Sequence, residues 1–131
     1  LVLTDNHVHR LRDSILEADQ RGVRIGALLT GKERLEVGQV SYHPFRESQL
    51  HKLADSLVVV VDEQEVLIAS SQPTSYTATV TTNANMVQIG RQFVWMELFA
   101  HRVFSRLGPE MLEQLASEDR TVLESVTDSG E

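Results

Sequence analysis

The sequence predicts an α/β fold, with a mixed β-sheet of about six strands flanked by helices and a long helix near the C-terminal end. Three observations lead to this fold class. A strand, a helix and a second strand follow one another within residues 1–30, an order typical of parallel pairing. The most apolar run, Leu57–Asp62, indicates a strand at the centre of the sheet. A later helical stretch carries an apolar stripe over about three heptads.

The first helix is predicted over His7–Arg21, because apolar residues recur there at spacings of three and four. Asp5 or Asn6 is expected to cap this helix, since either side chain accepts hydrogen bonds from free backbone N–H groups. Gly22 is expected to end it in the left-handed conformation, which glycine adopts at low cost. Periodicity and both end signals therefore agree on one helix.

Strands are predicted from apolar runs and from strict alternation of apolar and polar residues. In chain order they are Leu1–Thr4, Val23–Thr30, Val37–Tyr42, Leu57–Asp62, Val66–Ala69 and Tyr76–Thr82. A tight turn at Asp62–Glu65 makes the fourth and fifth strands a hairpin. Glu47–Ala54 is expected to form a short helix or a loop. Ser70–Ser75 is expected to be a polar loop.

The long helix is predicted to begin after a cap at Asn83 or Asn85 and to run to Leu107, where Gly108 and Pro109 stop it. Its apolar stripe consists of Met86, Ile89, Phe93, Met96, Ala100, Val103 and Leu107. Further apolar residues widen this stripe on both sides. A helix that is apolar beyond one stripe must be covered on more than one side. One face is therefore expected on the sheet and another on a partner chain.

Composition limits the class of protein. The 131 residues fit one domain, predicted over residues 1–108, followed by a short helix and an acidic tail over 109–131. The chain has a net charge of −7 and contains two lysines and ten arginines. This acidic balance argues against direct DNA binding, because phosphate contacts need a basic face. Cysteine is absent, which excludes disulfides and thiolate metal sites. Abundant acidic residues with scarce lysine favour a salt-adapted cytoplasm, and an ordinary acidic bacterial domain is the alternative.

The chain carries no predicted membrane span, because it has no apolar run of about 18 residues. A cytoplasmic location is therefore expected. The N-terminus opens directly into a strand-like run, without a starting Met and without the pattern of a signal peptide. We therefore expect the chain to be a fragment of a longer protein.

Two motif-like patterns are better explained by structure than by chemistry. Gly26–Glu33 nearly matches a phosphate-binding loop, but Glu33 stands where Ser or Thr should hold magnesium, and the middle of the motif belongs to a buried strand. His7 and His9 point away from each other on a helix and lack a third ligand nearby. They are expected to be surface or capping residues. The sequence therefore predicts neither a metal nor another cofactor.

The central strand carries a degenerate enzyme motif. A phospholipase D half-site needs a nucleophilic His, a phosphate-holding Lys two residues later and an Asp seven residues after the His. When this pattern is registered on Asp62, the His position is Asp55 and the Lys position is Leu57. A carboxylate and an isobutyl group cannot perform that chemistry. The chain is therefore predicted not to be an enzyme.

Four passages together resemble the C-terminal effector domain of the TrmB family of archaeal transcriptional regulators. They are the helix–strand joint Glu17–Ile25, the degenerate hairpin Asp55–Ile68, the alternating strand Thr77–Asn83 and the aromatic-rich helix Phe93–Leu107. The likeness covers residues 1–107, and the order and spacing of the passages make it more specific than any one of them.

The resemblance implies a catalytically inactive, phospholipase D-like fold that forms a homodimer. It also implies a small-molecule effector, a sugar or related metabolite, that shifts promoter affinity. DNA would be contacted only through an N-terminal winged helix-turn-helix, which this chain does not contain. The sugar-binding relatives continue into an extra β-rich region that helps to hold the sugar, whereas this chain ends soon after the long helix.

The effector pocket is expected at the strand ends, above the degenerate motif. The candidate ligand-binding residues, all polar, are Asp5, His43, Asp55, Ser70, Ser71, Thr81 and Asn83. The carboxylate of Asp55 would repel an anion there and favour a neutral, hydroxyl-rich ligand. The candidate dimer contacts are Trp95, Phe99 and Leu98.

Two other functions stay open at this point. The chain could be a dimerisation module that binds no ligand, which the aromatic side chains of Trp95 and Phe99 motivate. It could also be a residual phosphodiesterase, with His51 as the residue to test. That second alternative has only the analogy of fold behind it, and fold does not imply function.

Overall fold

The computed structural model describes residues 1–42, 56–72, 74–107, 113–119 and 121, and it confirms the α/β class. The elements in chain order are β1 (Val2–Leu3), α1 (Asp5–Gln20), β2 (Gly26–Leu29), β3 (Gln39–Tyr42), β4 (Leu57–Val61), β5 (Glu65–Gln72), β6 (Ser75–Thr81) and α2 (Ala84–Leu107). The described strands form one six-stranded mixed sheet in the order β3-β2-β1-β4-β5-β6. A mixed sheet with a long C-terminal helix is therefore confirmed.

Two strands, β1 and β4, meet at the centre of the sheet. β1 runs parallel to β2, and the Leu28 N–H donates to the Leu1 carbonyl at 2.9 Å. On its other side β1 runs antiparallel to β4, with Val2 opposite Val58. β3 extends the parallel half, whereas β5 and β6 extend the antiparallel half as consecutive hairpins. The central position and the parallel β1–β2 pairing predicted from the sequence are both confirmed.

Alternation of side chains along the strands separates two hydrophobic cores, one on each face of the sheet. The core under α1 consists of Leu3, Val8, Ile15, Ala27, Leu29, Leu35 and Val37. The core under α2 consists of Val2, Leu28, Val58, Val66, Val87 and Val94. Because strands near the centre are buried on both faces, β2 is apolar without alternation, as its sequence indicated.

The start of α1 differs from the prediction. Thr4 is the N-cap, so the expectation that Asp5 or Asn6 caps the helix is wrong. The Thr4 backbone N–H donates to Nδ1 of His7 at 3.3 Å, which is the return bond of a capping pair. His7 is thus a capping residue and His9 is exposed, as expected for both. At the other end Gly22 has a φ of 84°, which confirms the left-handed stop.

The link between β5 and β6 is shorter than predicted. The expected polar loop Ser70–Ser75 is wrong, because β5 continues to Gln72, which pairs with Ser75 at the start of β6. Backbone pairing across a hairpin does not require apolar side chains, so the polarity of this stretch concealed the strand ends. β2 is also shorter than predicted, since Val23 lies before the strand and is exposed.

Some sequence-based expectations fall outside the described residues. Glu47–Ala54 lies there completely, and so do the candidate ligand residues His43 and Asp55. Most of the short helix and acidic tail expected over 109–131 also lies there.

α2 packs on the sheet with a face that shares Phe93 with its predicted heptad stripe and otherwise lies beside it. Val87 and Val94 are buried in the core, and Leu98 packs partly buried against the same core. Gly90 lies between the two valines, where a Cβ atom would stand 2.7 Å from Cγ2 of Val66. The glycine therefore allows the helix to approach β5 closely.

We expect Gly90→Ala to destabilise the fold by about 1 kcal/mol, although alanine favours a helix by a similar amount. The reason is the contact of the new methyl group with Val66. In a Val66→Ala background the same change should become neutral or stabilising, because the obstructing methyl group is gone. Urea unfolding of the four variants measures this coupling, with Gln88→Ala on the exposed side of α2 as control. Equal effects of Gly90→Ala in both backgrounds would contradict the close approach.

Burial lowers the pKa of the Leu1 amino group from 8.0 to about 6, while the group donates to the Gly26 carbonyl at 2.7 Å. Between these pH values the unfolded chain binds more protons than the folded chain. The free energy of unfolding of the 131-residue chain should therefore rise from about pH 6 to pH 8, by at most about 2 kcal/mol. Urea midpoints across this range test it. A chain extended upstream, in which a peptide N–H replaces the amino group, should lack this component.

Candidate functional site

A cleft of about 270 Å³ opens between the N-terminal part of α1 and the antiparallel half of the sheet. We call it the α1–sheet cleft. Its lining residues are Asn6, His7, Arg10, Leu11, Leu57, Ala69, Ser70, Tyr76, Thr77 and Ala78. The first four belong to α1 and the others to β4, β5 and β6. The cleft therefore has a helical wall and a floor of three strands.

The cleft exists because α1 covers only one half of its face of the sheet. Its core lies mainly over β1, β2 and β3. Farther along the same face, Val61, Tyr76 and Val80 are exposed, and the exposed fraction of Tyr76 is 74%. In α/β folds helices normally cover both faces of a sheet. Among the residues that the structure describes, no helix covers this apolar half, which could therefore receive a ligand or a partner.

The floor of the cleft is formed by small or aliphatic side chains in register. Leu57 pairs with Ala69, and Ala69 pairs with Ala78, so the three side chains lie side by side on one face. Leu57 also packs against the core under α1. Because the two alanines are short, the floor is lower there than at Tyr76.

Polar groups lie along the α1 wall. The ring of His7 is held by Thr4, whose hydroxyl lies 3.1 Å from Nδ1. Arg10 follows one turn later and is exposed, so it adds a positive charge to the wall. Together with the amide of Asn6, these groups can hydrogen-bond a ligand whose apolar side rests on the floor. This mixture is typical of small-molecule sites, which are apolar with a few polar groups.

Among the predicted ligand residues that the structure describes, Ser70 is the one that lines the cleft. Its hydroxyl lies 3.0 Å from the hydroxyl of Thr77 on the neighbouring strand. Alternation places these two side chains on the face opposite Ala69 and Ala78, so they border the cleft through their backbone. Ser71 lies in β5 opposite Tyr76.

The carboxylate of Asp5 binds backbone N–H groups of the loop that follows β2. Its carboxylate accepts hydrogen bonds from the backbone N–H of Lys32 at 3.1 Å and of Glu33 at 2.8 Å. The carboxylate also stands where a Cβ at Gly31 would be, so this glycine makes room for it. Arg12 adds an ion pair to Glu33 at 2.7 Å. The loop after β2 is thereby fastened to α1.

The same contacts explain why Gly26–Glu33 does not have the conformation of a phosphate-binding loop. Its first glycine, Gly26, begins a strand, so the residues after it cannot curl around a phosphate. The N–H groups that follow the second glycine already bind the Asp5 carboxylate. The strand predicted inside Gly26–Glu33 is confirmed, and these residues do not have the conformation of a phosphate-binding loop.

Thr81 and Asn83 lie away from the cleft, at the opposite end of β6. The strand carries Thr81 roughly 17 Å from Tyr76, at about 3.4 Å per residue, and Asn83 follows two residues later. Both are used to start α2. The Thr81 hydroxyl accepts from the Asn83 N–H at 3.0 Å, and Oδ1 of Asn83 accepts from the N–H of Asn85 and Met86 at 3.1 and 3.2 Å. Asn83 is therefore the N-cap, one of the two residues predicted for it.

The candidate dimer residues separate into two groups. Trp95 and Phe99 are exposed, at 55% and 52%, and their rings stack at 5.3 Å between centroids. Leu98 lies on the side of α2 that packs on the sheet. Of the three candidates, Trp95 and Phe99 are thus the two that are accessible to a partner.

Metal-binding groups do not gather in the part of the chain that the structure describes, where no three His, Asp or Glu side chains form a possible site. Within the same residues, no helix combines the length and the apolarity needed to cross a membrane.

A family model described as the N-terminal subdomain of the effector-binding domain (EBD) of the transcriptional regulator TrmB matches residues 1–105. The chain belongs to the TrmB family. The match takes in every described strand and nearly all of α2. No curated protein and no solved structure matches the chain. Membership in a regulator family points to a regulatory domain and away from an enzyme, as the sequence indicated.

Several lining residues of this TrmB domain were not found by sequence reasoning. They are Asn6, His7, Arg10, Tyr76, Thr77 and Ala78. One signal was present for the strand residues, since alternation already placed Tyr76 and Ala78 on one face. For the helix residues no local signal exists, because a polar residue beside an apolar stripe usually faces water.

We expect Asp5→Ala to lower the free energy of unfolding by about 1–3 kcal/mol, because the two N–H groups lose a charged acceptor. Hydrogen exchange of the Lys32 and Glu33 amides should accelerate at the same time. Asp13→Ala, an exposed carboxylate on α1, is the matched control and should change stability little. Unchanged exchange at these two amides would show that the carboxylate does not hold the loop.

Proposed function

We propose that this chain is the effector-sensing domain of a TrmB-type, DNA-binding transcriptional regulator, and that a small-molecule effector binds in the α1–sheet cleft. The cleft itself is the observation that carries this proposal. It lies on the half of the sheet that no described helix covers, in a chain whose family is described by effector binding.

The lining of the cleft supports a small, neutral, hydroxyl-rich effector such as a monosaccharide. The exposed ring of Tyr76 offers a surface for the apolar face of a sugar, and Asn6 and Arg10 offer hydrogen-bond donors. A volume of about 270 Å³ lies at the small end of ligand sites, which suits one ring better than a chain of several. The carboxylate of Asp55, which the sequence predicts at the pocket, would repel an anion and therefore favours a neutral ligand.

Such an effector can regulate only if it binds two arrangements of a homodimer with different affinities. A ligand with equal affinity for both does not shift the equilibrium between them. The cleft residues lie near the start of β6, and the Asn83 cap, which begins α2, follows the end of the same strand. An effector that moves Tyr76 would therefore act on the strand that positions this helix. DNA would be bound by an N-terminal winged helix outside this chain, in the cytoplasm.

We also propose that the sheet has a phospholipase D-like origin and that the chain has lost the catalytic residues of such an enzyme. Leu57 stands at the position of the phosphate-binding lysine and packs against the core under α1. An aliphatic side chain in that place stabilises the fold and cannot neutralise a phosphate. The acidic composition, with 19 Asp and Glu against 12 Lys and Arg, supports a salt-adapted archaeal source.

Calorimetric titration of the chain with glucose, maltose and glucose 6-phosphate tests the proposal. We expect glucose to bind with a dissociation constant of about 1 mM or below, and glucose 6-phosphate to bind more weakly. Tyr76→Ala should weaken glucose binding by about tenfold or more. Trp95→Ala, an exposed aromatic on the other face, should leave it unchanged. Absence of heat with all three sugars would defeat the proposal.

A dimerisation module without a ligand is the second candidate. It is favoured by the exposed, stacked rings of Trp95 and Phe99 on α2. A dimer in sedimentation, combined with no heat from any sugar and no effect of sugars on operator binding by a longer protein, would select this candidate.

A further inference from the structure

The outer edge of β6 is an unpaired side of the sheet. β6 is the last strand in the sheet order, and β5 pairs with its other side along the whole strand. Among the residues that the structure describes, no strand pairs with the outer edge, where Ser75–Val80 are exposed and Thr81 is half-buried. Alternate residues of an antiparallel edge strand point their backbone N–H and C=O groups away from the neighbouring strand. This edge therefore offers a row of hydrogen-bonding groups to a further strand.

β6 lacks the features with which proteins usually protect an exposed edge. Such edges are typically short, bulged or interrupted by charged residues or proline. β6 has seven residues, contains no charged residue and no proline, and pairs with β5 without a bulge. The opposite edge strand, β3, has four residues. The β6 edge is therefore the one suited to receive a further strand.

The side chains of β6 are arranged almost symmetrically about its middle residue, Ala78. In an antiparallel pair of β6 strands centred on Ala78, Tyr76 lies opposite Val80 of the second copy, and the whole strand is matched. In the same pair, Thr77 lies opposite Thr79 of the second copy. Opposite side chains share one face of the sheet, and both aromatic–β-branched and Thr–Thr pairs are favourable. The sequence of β6 therefore complements a copy of itself.

The distribution of charge also favours a second copy at this edge. The whole chain carries −7, so two copies repel each other where their acidic surfaces meet. β6 contains no charged residue, and neither does Val66–Gln72, the stretch of β5 with which it pairs. Edge-to-edge pairing therefore places no carboxylate of one copy opposite a carboxylate of the other along these strands.

The pairing would join two uncovered apolar surfaces. Tyr76 and Val80 are exposed, at 74% and 55%, on the face of the sheet that α1 leaves open. Across the axis, the apolar halves of the two sheets become one continuous face. Two antiparallel strands of this length make roughly six backbone hydrogen bonds, which at about one bond per 100–200 Å² correspond to roughly 600–1,200 Å² in total. That is the size of a weak, reversible interface.

We propose that two copies of this chain pair edge to edge through β6, antiparallel about Ala78, and join their six-stranded sheets into one. The inference goes beyond the proposed function, because neither the edge nor its register depends on an effector. It assigns the contact between copies to β6, whereas the sequence alone points to Trp95 and Phe99 of α2. It also brings Val80 of the second copy beside Tyr76, so the border of the α1–sheet cleft includes a side chain of each copy.

Cross-linking tests the pairing directly, because the chain contains no cysteine and a single introduced thiol reports which residues meet. Ala78→Cys places two thiols opposite each other on the axis. Opposite Cα atoms lie about 4.5–5.5 Å apart, within the range of a disulfide. We expect a covalent dimer to be the main product of mild oxidation at about 100 µM chain. Gln88→Cys, on the exposed side of α2, is the matched control and should remain mostly monomeric.

The register is tested by mixing two variants. Thr77→Cys and Thr79→Cys chains should cross-link with each other more than either does with itself, because these two residues lie opposite each other in the pair. Equal cross-linking in the mixture and in the separate samples would exclude an axis at Ala78.

Sedimentation equilibrium at about 5–200 µM chain in about 0.15 M KCl measures the strength of the pairing. We expect a reversible dimer for the unchanged chain. Thr77→Lys combined with Thr79→Lys should raise the dimer dissociation constant by about tenfold or more, because lysines would then lie opposite each other in the paired strands. Gln88→Lys combined with Gln92→Lys adds the same charge on α2 and should change the constant less than about threefold. Circular dichroism and thermal unfolding verify that both variants fold.

A monomer at the highest concentration, or equal oxidation of the Ala78→Cys and Gln88→Cys chains, would overturn the pairing. Equal weakening by the two pairs of lysines would also overturn it, since the effect would then be one of net charge. So would a dimer that Trp95→Ala dissociates and the β6 lysines leave intact, because α2 would then hold the copies together. Glucose titration of the unchanged chain separates this inference from the proposed function. Heat from a monomeric chain supports the cleft and refutes the pairing, whereas a β6 dimer without heat supports the pairing and refutes the effector.

Discussion

The burial of two consecutive residues, Val2 and Leu3, on opposite faces of the sheet is the constraint on which the rest of this structure depends. Val2 enters the core under α2, and Leu3 enters the core under α1. The same short strand bonds to β2 in parallel and to β4 in antiparallel orientation. β1 therefore joins the two halves of the sheet and anchors both helices.

This arrangement leaves apolar surface in two places. α1 is connected to β1 and β2 by short segments, so it lies over the parallel half and leaves the antiparallel half of that face uncovered. α2 lies on the other face and uses only a narrow side for packing, because Gly90 brings it close to β5. Its remaining apolar side then points into solvent.

The two surfaces lie on opposite faces of the sheet but are close along the chain. Tyr76 lines the cleft, and Asn83 at the end of the same strand caps α2. The Thr81–Asn83 and Asn83–Met86 hydrogen bonds connect the end of β6 to the first turn of α2.

The sequence by itself determined the order of the elements, the central place of the Leu57 strand, the stop at Gly22 and two candidates for the cap of the long helix, Asn83 and Asn85. These follow from hydrophobic periodicity and from backbone preferences, which act over a few residues. The regulatory family was also visible in the order of four passages. Only the tertiary structure decided which side of α2 meets the sheet, which residues line the cleft and what Asp5 does. Those outcomes depend on contacts between residues far apart in the chain, such as Asp5 with Glu33 and Gly90 with Val66. Local patterns record that a residue is apolar or polar, but not which distant neighbour it will meet.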